Sequence, residues 1–172
     1  RREPFPVWPR ITEEMKKSLI HTFEEEEWGV GSKTITLFNE QFATMQDAKY
    51  CLSIHSGTSA IWICLKAAGI EAGDEVILPS YTFIATATAV VLANAVPVFA
   101  DIDKKTANLD PTSVEKLITK KTKAIIPVHT AGAPADMKAF LDISKKYNIP
   151  IIEDAAQGHG SMIENKKVGA IG

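Results

Sequence analysis

Three short stretches of this chain carry residue types that could meet one flat, charged small molecule. In the first, Asp154 ends the apolar run Pro150-Ile151-Ile152-Glu153 and passes into Ala155-Ala156-Gln157-Gly158-His159-Gly160. A run of that kind, bounded by proline and glycine, reads as a buried parallel strand with the carboxylate at its carboxyl end, where open α/β sheets bind ligands. A carboxylate there is costly to desolvate unless a cation or a hydrogen-bond donor meets it. Asp154 therefore reads either as a ligand contact or as the N-cap of a following helical turn. In the second stretch, His55-Ser56-Gly57-Thr58-Ser59-Ala60 leads straight into a helix. Gly57 lets the backbone turn tightly, and the amides of Thr58, Ser59 and Ala60, with two hydroxyls, face the helix's positive end and make an anion seat. An ordinary Ser/Thr cap accounts for the same residues. The third stretch, Pro79-Ser80-Tyr81-Thr82-Phe83, puts aromatics after a strand. Tyr81 and Phe83 are either core residues or a cover for a planar ring, a stacking worth about 1 kcal/mol beyond burial.

The elements that must position these groups alternate in type. Strands are predicted at Tyr50–Ile54, Glu75–Pro79, Pro97–Asp101, Lys123–Val128 and Pro150–Glu153, and helices at Thr58–Ala68, Thr82–Ala93, Asp110–Ile118 and Ala135–Tyr147. The third of these helices opens with Asp110 as cap and Pro111 in the first turn. Met162–Val168 reads as a small hairpin around Asn165. Strands separated by helices imply an α/β fold: a mostly parallel sheet with right-handed crossovers and helices on both faces. Ahead of it, residues 1–48 form an arm and two helices, and residues 49–172 an incomplete α/β unit. The arm, rich in Pro4, Pro6 and Pro9, is expected to be extended. Thr12 caps the first helix, with Met15, Leu19 and Phe23 as its apolar stripe, and Ser32 or Thr34 starts the second, with Ile35, Phe38, Phe42 and Met45 inward. Between them Trp28-Gly29-Val30-Gly31-Ser32 is a loop over a pocket or a simple glycine turn.

Composition narrows the function. A net charge of -2 gives no footprint for nucleic acid or an anionic membrane. Phe83–Ala100 approaches the length of a membrane span, but Thr86, Thr88, Asn94 and Pro97 interrupt it, so a buried helix followed by a strand is expected. Cys51 and Cys64 belong to no CxxC pair, and no apolar leader is seen, which points to reduced thiols in a cytoplasmic protein. No metal site is expected. Neither GxGxxG after a strand nor GxxxxGK occurs, and a nicotinamide enzyme has only the βαβ pattern in its favour. His129, closing the strand that ends at Val128, is a satisfied edge histidine or a catalytic one.

An anion seat, an aromatic lid and a buried carboxylate on successive strand ends are together satisfied by a molecule with a phosphate, an aromatic ring and a protonated ring nitrogen. Pyridoxal phosphate has all three, and its pyridinium needs a carboxylate to remain protonated. Ser56-Gly57-Thr58-Ser59-Ala60, Gly73-Asp74-Glu75-Val76-Ile77-Leu78-Pro79 with Thr82-Phe83, Pro127-Val128-His129 and Glu153-Asp154-Ala155-Ala156-Gln157 with His159-Gly160 occur in this order. On these motifs residues 28–172 resemble the amino-terminal part of the large domain of the DegT/StrS-type sugar aminotransferases, fold-type I enzymes that use pyridoxal phosphate. The arm Arg2–Pro9, Trp28–Ser32 and Thr130–Met137 are further similar to the branch that includes inosose aminotransferases and aminohydroxybenzoate synthases.

The resemblance implies roles for particular residues. Thr58 and Ser59, turned by Gly57, would hold the phosphate. Phe83 would stack on the ring, Asp154 would pair with the ring nitrogen as the catalytic carboxylate, and Gln157 would approach the ring hydroxyl. Trp28 and His129 would lie on the substrate side. The implied reaction is ping-pong transfer of an amino group from glutamate or glutamine to a keto-sugar or keto-cyclitol, in a homodimer with its site at the subunit boundary. The family's lysine anchor is expected past Gly172, since Lys166 and Lys167 fall in the hairpin. Two relatives of the same fold remain as alternatives. A sugar dehydratase would carry histidine at the lysine position, and a non-catalytic binding domain would keep the pocket without the nucleophile.

Overall fold

The computed structural model describes residues 8–172, so most of the expected proline-rich arm lies outside the described residues. Thr12 caps α1 (Glu13–Glu24) by accepting from the Met15 amide, and Ser32 caps α2 (Lys33–Met45) by accepting from the Ile35 amide. There follow α3 (Gly57–Ala67), β1 (Glu75–Pro79), α4 (Ala85–Leu92), β2 (Val96–Ala100), α5 (Pro111–Leu117), β3 (Thr122–Ile125) and α6 (Met137–Tyr147). A two-residue hairpin, β4 (Met162–Ile163) and β5 (Lys166–Lys167), completes the order. Its turn places Glu164 and Asn165 at positive φ, as a tight hairpin requires.

The sheet runs β2-β1-β3, every pair parallel. Residues 150–154 lie parallel beside β3 through bridges from Ile125 to Ile151 and from Val128 to Asp154, the Asp154 amide donating to the Pro127 carbonyl at 2.9 Å. Side chains alternate across this sheet. Val76, Leu78, Ala124 and Ile126 are buried on one face with Ile61 and Leu65 of α3 and Ala89 and Val90 of α4. Ile77 and Ile125 are buried on the other with Val114 of α5 and Met137, Phe140 and Ile143 of α6. Period-two burial on both faces is what a parallel sheet between two helical layers demands. Asp110 caps α5 by accepting from the Thr112 amide at 2.9 Å, with Pro111 at the first position. Replacing Asp110 with alanine is expected to cost about 1 kcal/mol, seen as a lower urea midpoint at unchanged slope.

The structure corrects several expected elements. Tyr50–Ile54 is not a strand: no ladder partner stands beside it among the described residues, and the Ser53 amide is taken instead by the Asn39 side chain at 3.0 Å. Strand-forming residue types need a neighbour to pair with. The stripe Met15, Leu19 and Phe23 faces outward, and α1 buries none of its residues. In α2, Ile35, Phe38 and Met45 are exposed, whereas Ala43 is buried and Phe42 half-buried. The fourth helix starts at Ala85 rather than Thr82, which leaves Thr82 and Phe83 as a loop on the tip of β1. No helix among the described residues is long and apolar enough to cross a membrane.

Candidate functional site

Above the carboxyl ends of β1, β3 and the 150–154 segment lies a cavity of about 810 Å³. Its walls include Ser56, Gly57 and Thr58 from the start of α3, Thr82 and Phe83 from the tip of β1, and Asp154 and Gln157 from the end of the 150–154 segment and the loop after it. Five of the residues expected to hold a cofactor, Gly57, Thr58, Phe83, Asp154 and Gln157, thus border one space.

The start of α3 is both a cap and an open donor set. Ser56 Oγ accepts from the Ser59 amide at 3.2 Å, and the Ser56 carbonyl takes the Ala60 amide at 3.0 Å. The amides left without an acceptor are therefore those of Gly57 and Thr58, not of Ser59 and Ala60 as expected. A Cβ built on Gly57 would meet nothing within 4 Å, so the backbone there is open to a close ligand approach. Ser59 stands a step behind: its hydroxyl accepts from Ser56 at 3.1 Å and lies 2.9 Å from His55 Nε2. Phe83, 71% exposed, has its ring free at the cavity.

Asp154 is not a helix cap, since a turn rather than a helix follows it. Its Oδ2 accepts from Thr86 Oγ1 at 2.8 Å, and its Oδ1 accepts from the Ala156 amide at 3.2 Å. Neither donor is a cation, so the charge keeps its full attraction for a positive ligand group. Gln157 Oε1 accepts from the Ala131 amide at 2.7 Å, leaving Nε2 as the group available to a ligand. His159 meets Phe42 edge to face at 5.6 Å, and both line the cavity.

Two residues expected on the substrate side are elsewhere. Trp28 packs edge-on against Phe23 at 5.2 Å, stays exposed, and is not part of the cavity wall. His129 has no exposed surface. The Ala135 amide donates to its Nδ1 at 3.0 Å, so the ring proton is on Nε2, which donates to Glu153 Oε2 at 3.0 Å. Glu153 also accepts from the amides of Gly169 at 2.8 Å, Ile171 at 2.7 Å and Gly172 at 2.6 Å. Burial alone would push its carboxyl up, but the bond from His129 and the three amides together hold it below the usual glutamate value. Glu153 borders the cavity beside Asp154, whereas His129 stands behind it and is not part of the cavity wall.

Thr86 is the site residue that the sequence reading passed over. It is wholly buried, yet it supplies the one side-chain donor to Asp154 among the described residues. The signal is weak, because α4 carries two threonines, Thr86 and Thr88, among its alanines and valines.

Residues 9–172 match the model of the DegT/DnrJ/EryC1/StrS aminotransferase family. Across 100% of its length the chain is 40% identical to an L-glutamine:2-deoxy-scyllo-inosose aminotransferase of Streptomyces kanamyceticus, covering 42% of that protein. It superposes on the crystal structure of 3-amino-5-hydroxybenzoic acid (AHBA) synthase with a TM-score of 0.93 and 37% identity, over 96% of this chain and 44% of the other. With ntda from Bacillus subtilis, solved with bound cofactor PMP, the TM-score is 0.82 at 36% identity, over 87% of this chain and 35% of the other. The chain spans less than half the length of each of these three proteins.

Proposed function

This chain belongs to the DegT/DnrJ/EryC1/StrS aminotransferase family, and from that premise we propose that it forms the cofactor-binding part of an enzyme moving an amino group from glutamate or glutamine to a keto-sugar or keto-cyclitol. The observation that carries the reading is the convergence of open amides, a free aromatic face and a cation-free carboxylate on one cavity. A phosphate suits the Gly57 and Thr58 amides and the Thr58 hydroxyl, with the Ser59 and His55 pair behind them. A planar ring suits Phe83. A protonated ring nitrogen suits Asp154, and a ring oxygen suits the Gln157 Nε2 donor. The residues thus fit pyridoxal phosphate, which when bound supplies an electron sink for negative charge developing on a substrate carbon.

Within that site each protein group has a distinct task. Asp154 would favour a proton on the ring nitrogen, because a carboxylate in a half-buried wall stabilises a neighbouring cation. The start of α3 would hold the phosphate and Phe83 would offer its face to the ring, so that the protein would orient the group from more than one side. Substrate selection belongs to the remaining wall, to which Phe42, Ile54 and His159 contribute. We read residues 1–48 as an arm and helices preceding the cofactor unit of residues 49–172, in a cytoplasmic protein. A two-copy assembly is supported by the outward apolar side chains of α1 and α2, including Leu19, Phe23 and Phe38.

The test is spectroscopic. A polypeptide of the relatives' full length, loaded with pyridoxal phosphate, is expected to absorb in the visible and to lose that band on addition of glutamine or glutamate. A protein that takes up no pyridoxal phosphate, or whose band is indifferent to both amino acids, would refute the reading.

A further inference from the structure

Thr86 lies in the first turn of α4, and its amide donates to the Phe83 carbonyl at 3.1 Å. Its hydroxyl has one proton, and that proton is given to Asp154 Oδ2 at 2.8 Å, since an ionised carboxylate can only accept. The 2.9 Å contact between Thr82 Oγ1 and Thr86 Oγ1 must then be donated by Thr82. The relay has one direction: Thr82 gives to Thr86, which gives to Asp154. Thr82 and Phe83 are adjacent cavity residues, and Asp154 is on the opposite flank of the sheet's carboxyl edge. Thr86 itself has no exposed surface and does not border the cavity.

We propose that Thr86 is a positioning residue that locks the Asp154 carboxylate toward the cofactor's ring nitrogen and registers it against the loop carrying the stacking ring. With Oδ2 held by Thr86 and Oδ1 by the Ala156 amide, the carboxylate plane is fixed at both oxygens while Asp154 still borders the cavity. Without the hydroxyl, Oδ2 loses its donor, Thr82 loses its acceptor, and the carboxylate can swing toward other donors. The same bonds tie the loop after β1 to the 150–154 segment across β3, so Phe83 and Asp154 would be held toward the cofactor by one network rather than two.

The inference rests on the proposed cofactor, and the experiment separates the two. Dissociation constants are measured for pyridoxal phosphate and for its carbocyclic analogue with C–H in place of the ring nitrogen, in the full-length polypeptide and its variants. The unaltered protein is expected to prefer pyridoxal phosphate by at least about tenfold. Thr86→Val, of nearly the same shape, is expected to weaken pyridoxal phosphate binding on the order of tenfold while leaving the analogue's affinity unchanged. Thr86→Ser, which keeps the hydroxyl, is expected to stay close to the unaltered protein, and Thr82→Val to fall between. Equal weakening of both ligands by Thr86→Val would mean a general packing defect and would overturn the proposal, as would no change in either. Failure of the unaltered protein to bind pyridoxal phosphate would instead remove the functional reading, and this inference with it.

Discussion

Replacing Asp154 with alanine in a full-length polypeptide is expected to lower kcat for amino transfer by at least about a thousandfold. The carboxylate borders the cavity and is held by two donors, Thr86 and the Ala156 amide, neither of which carries charge. In the proposed site its removal would leave the ring nitrogen without a carboxylate partner, and a neutral pyridine accepts electron density poorly. Asp154→Asn keeps the shape and the Thr86 contact but loses the charge, so it is expected to fail nearly as badly. Steady-state kinetics alongside circular dichroism separate this loss from misfolding. Transfer at near-normal rates by either variant would rule out the role.

Glu153, one residue earlier, is expected to matter for the fold instead. Four donors converge on its two oxygens, from His129 Nε2 and the amides of Gly169, Ile171 and Gly172. Glu153→Ala leaves the buried His129 Nε2 without an acceptor, along with three more accessible amides, and should cost on the order of 1–3 kcal/mol by urea denaturation at neutral pH. The pH dependence has a definite sign. The folded carboxyl lies below its usual value of 4.5, so folding favours the charged form. Its contribution is present above that value and is lost as pH falls from there through the lower folded value. Glu153→Gln cannot titrate, and its amide opposes two of the four donors. It should be less stable at pH 7 and lose less stability than the unaltered protein on acidification below about pH 4.5. Parallel acid limbs for the two proteins would show that Glu153 does not carry this dependence.

The sheet was legible because both of its faces are buried, and continuous apolar runs such as Val76-Ile77-Leu78 and Ala124-Ile125-Ile126 have few other readings. The hairpin at Asn165 and the caps at Thr12, Ser32 and Asp110 were legible for local reasons, since each depends on residues within three positions. What failed depends on distant neighbours. Tyr50–Ile54 has strand residues but no partner, and the stripes of α1 and α2 are amphipathic without a surface to cover them among the described residues. In the site, Gly57, Thr58, Phe83, Asp154 and Gln157 announce themselves by strand-end position and residue type. His129 has the same credentials as Asp154, yet the Ala135 amide and Glu153 occupy both of its nitrogens, contacts that no spacing rule reveals. Thr86 acts through a contact with a residue 68 positions away, and only the closed fold brings the two together.

The sheet order has a kinetic consequence. Phe83 follows β1 and Asp154 ends the 150–154 segment, with β3 between them, so the two cavity residues come together only after both the β1–β3 pairing and the pairing of 150–154 with β3 have closed. A ligand bridging them is therefore blind to any partly folded chain whose 150–154 segment is still loose. Cofactor fluorescence during refolding should rise with the final phase and lag behind the helical signal, which makes the bound ring a clock for the last step of assembly.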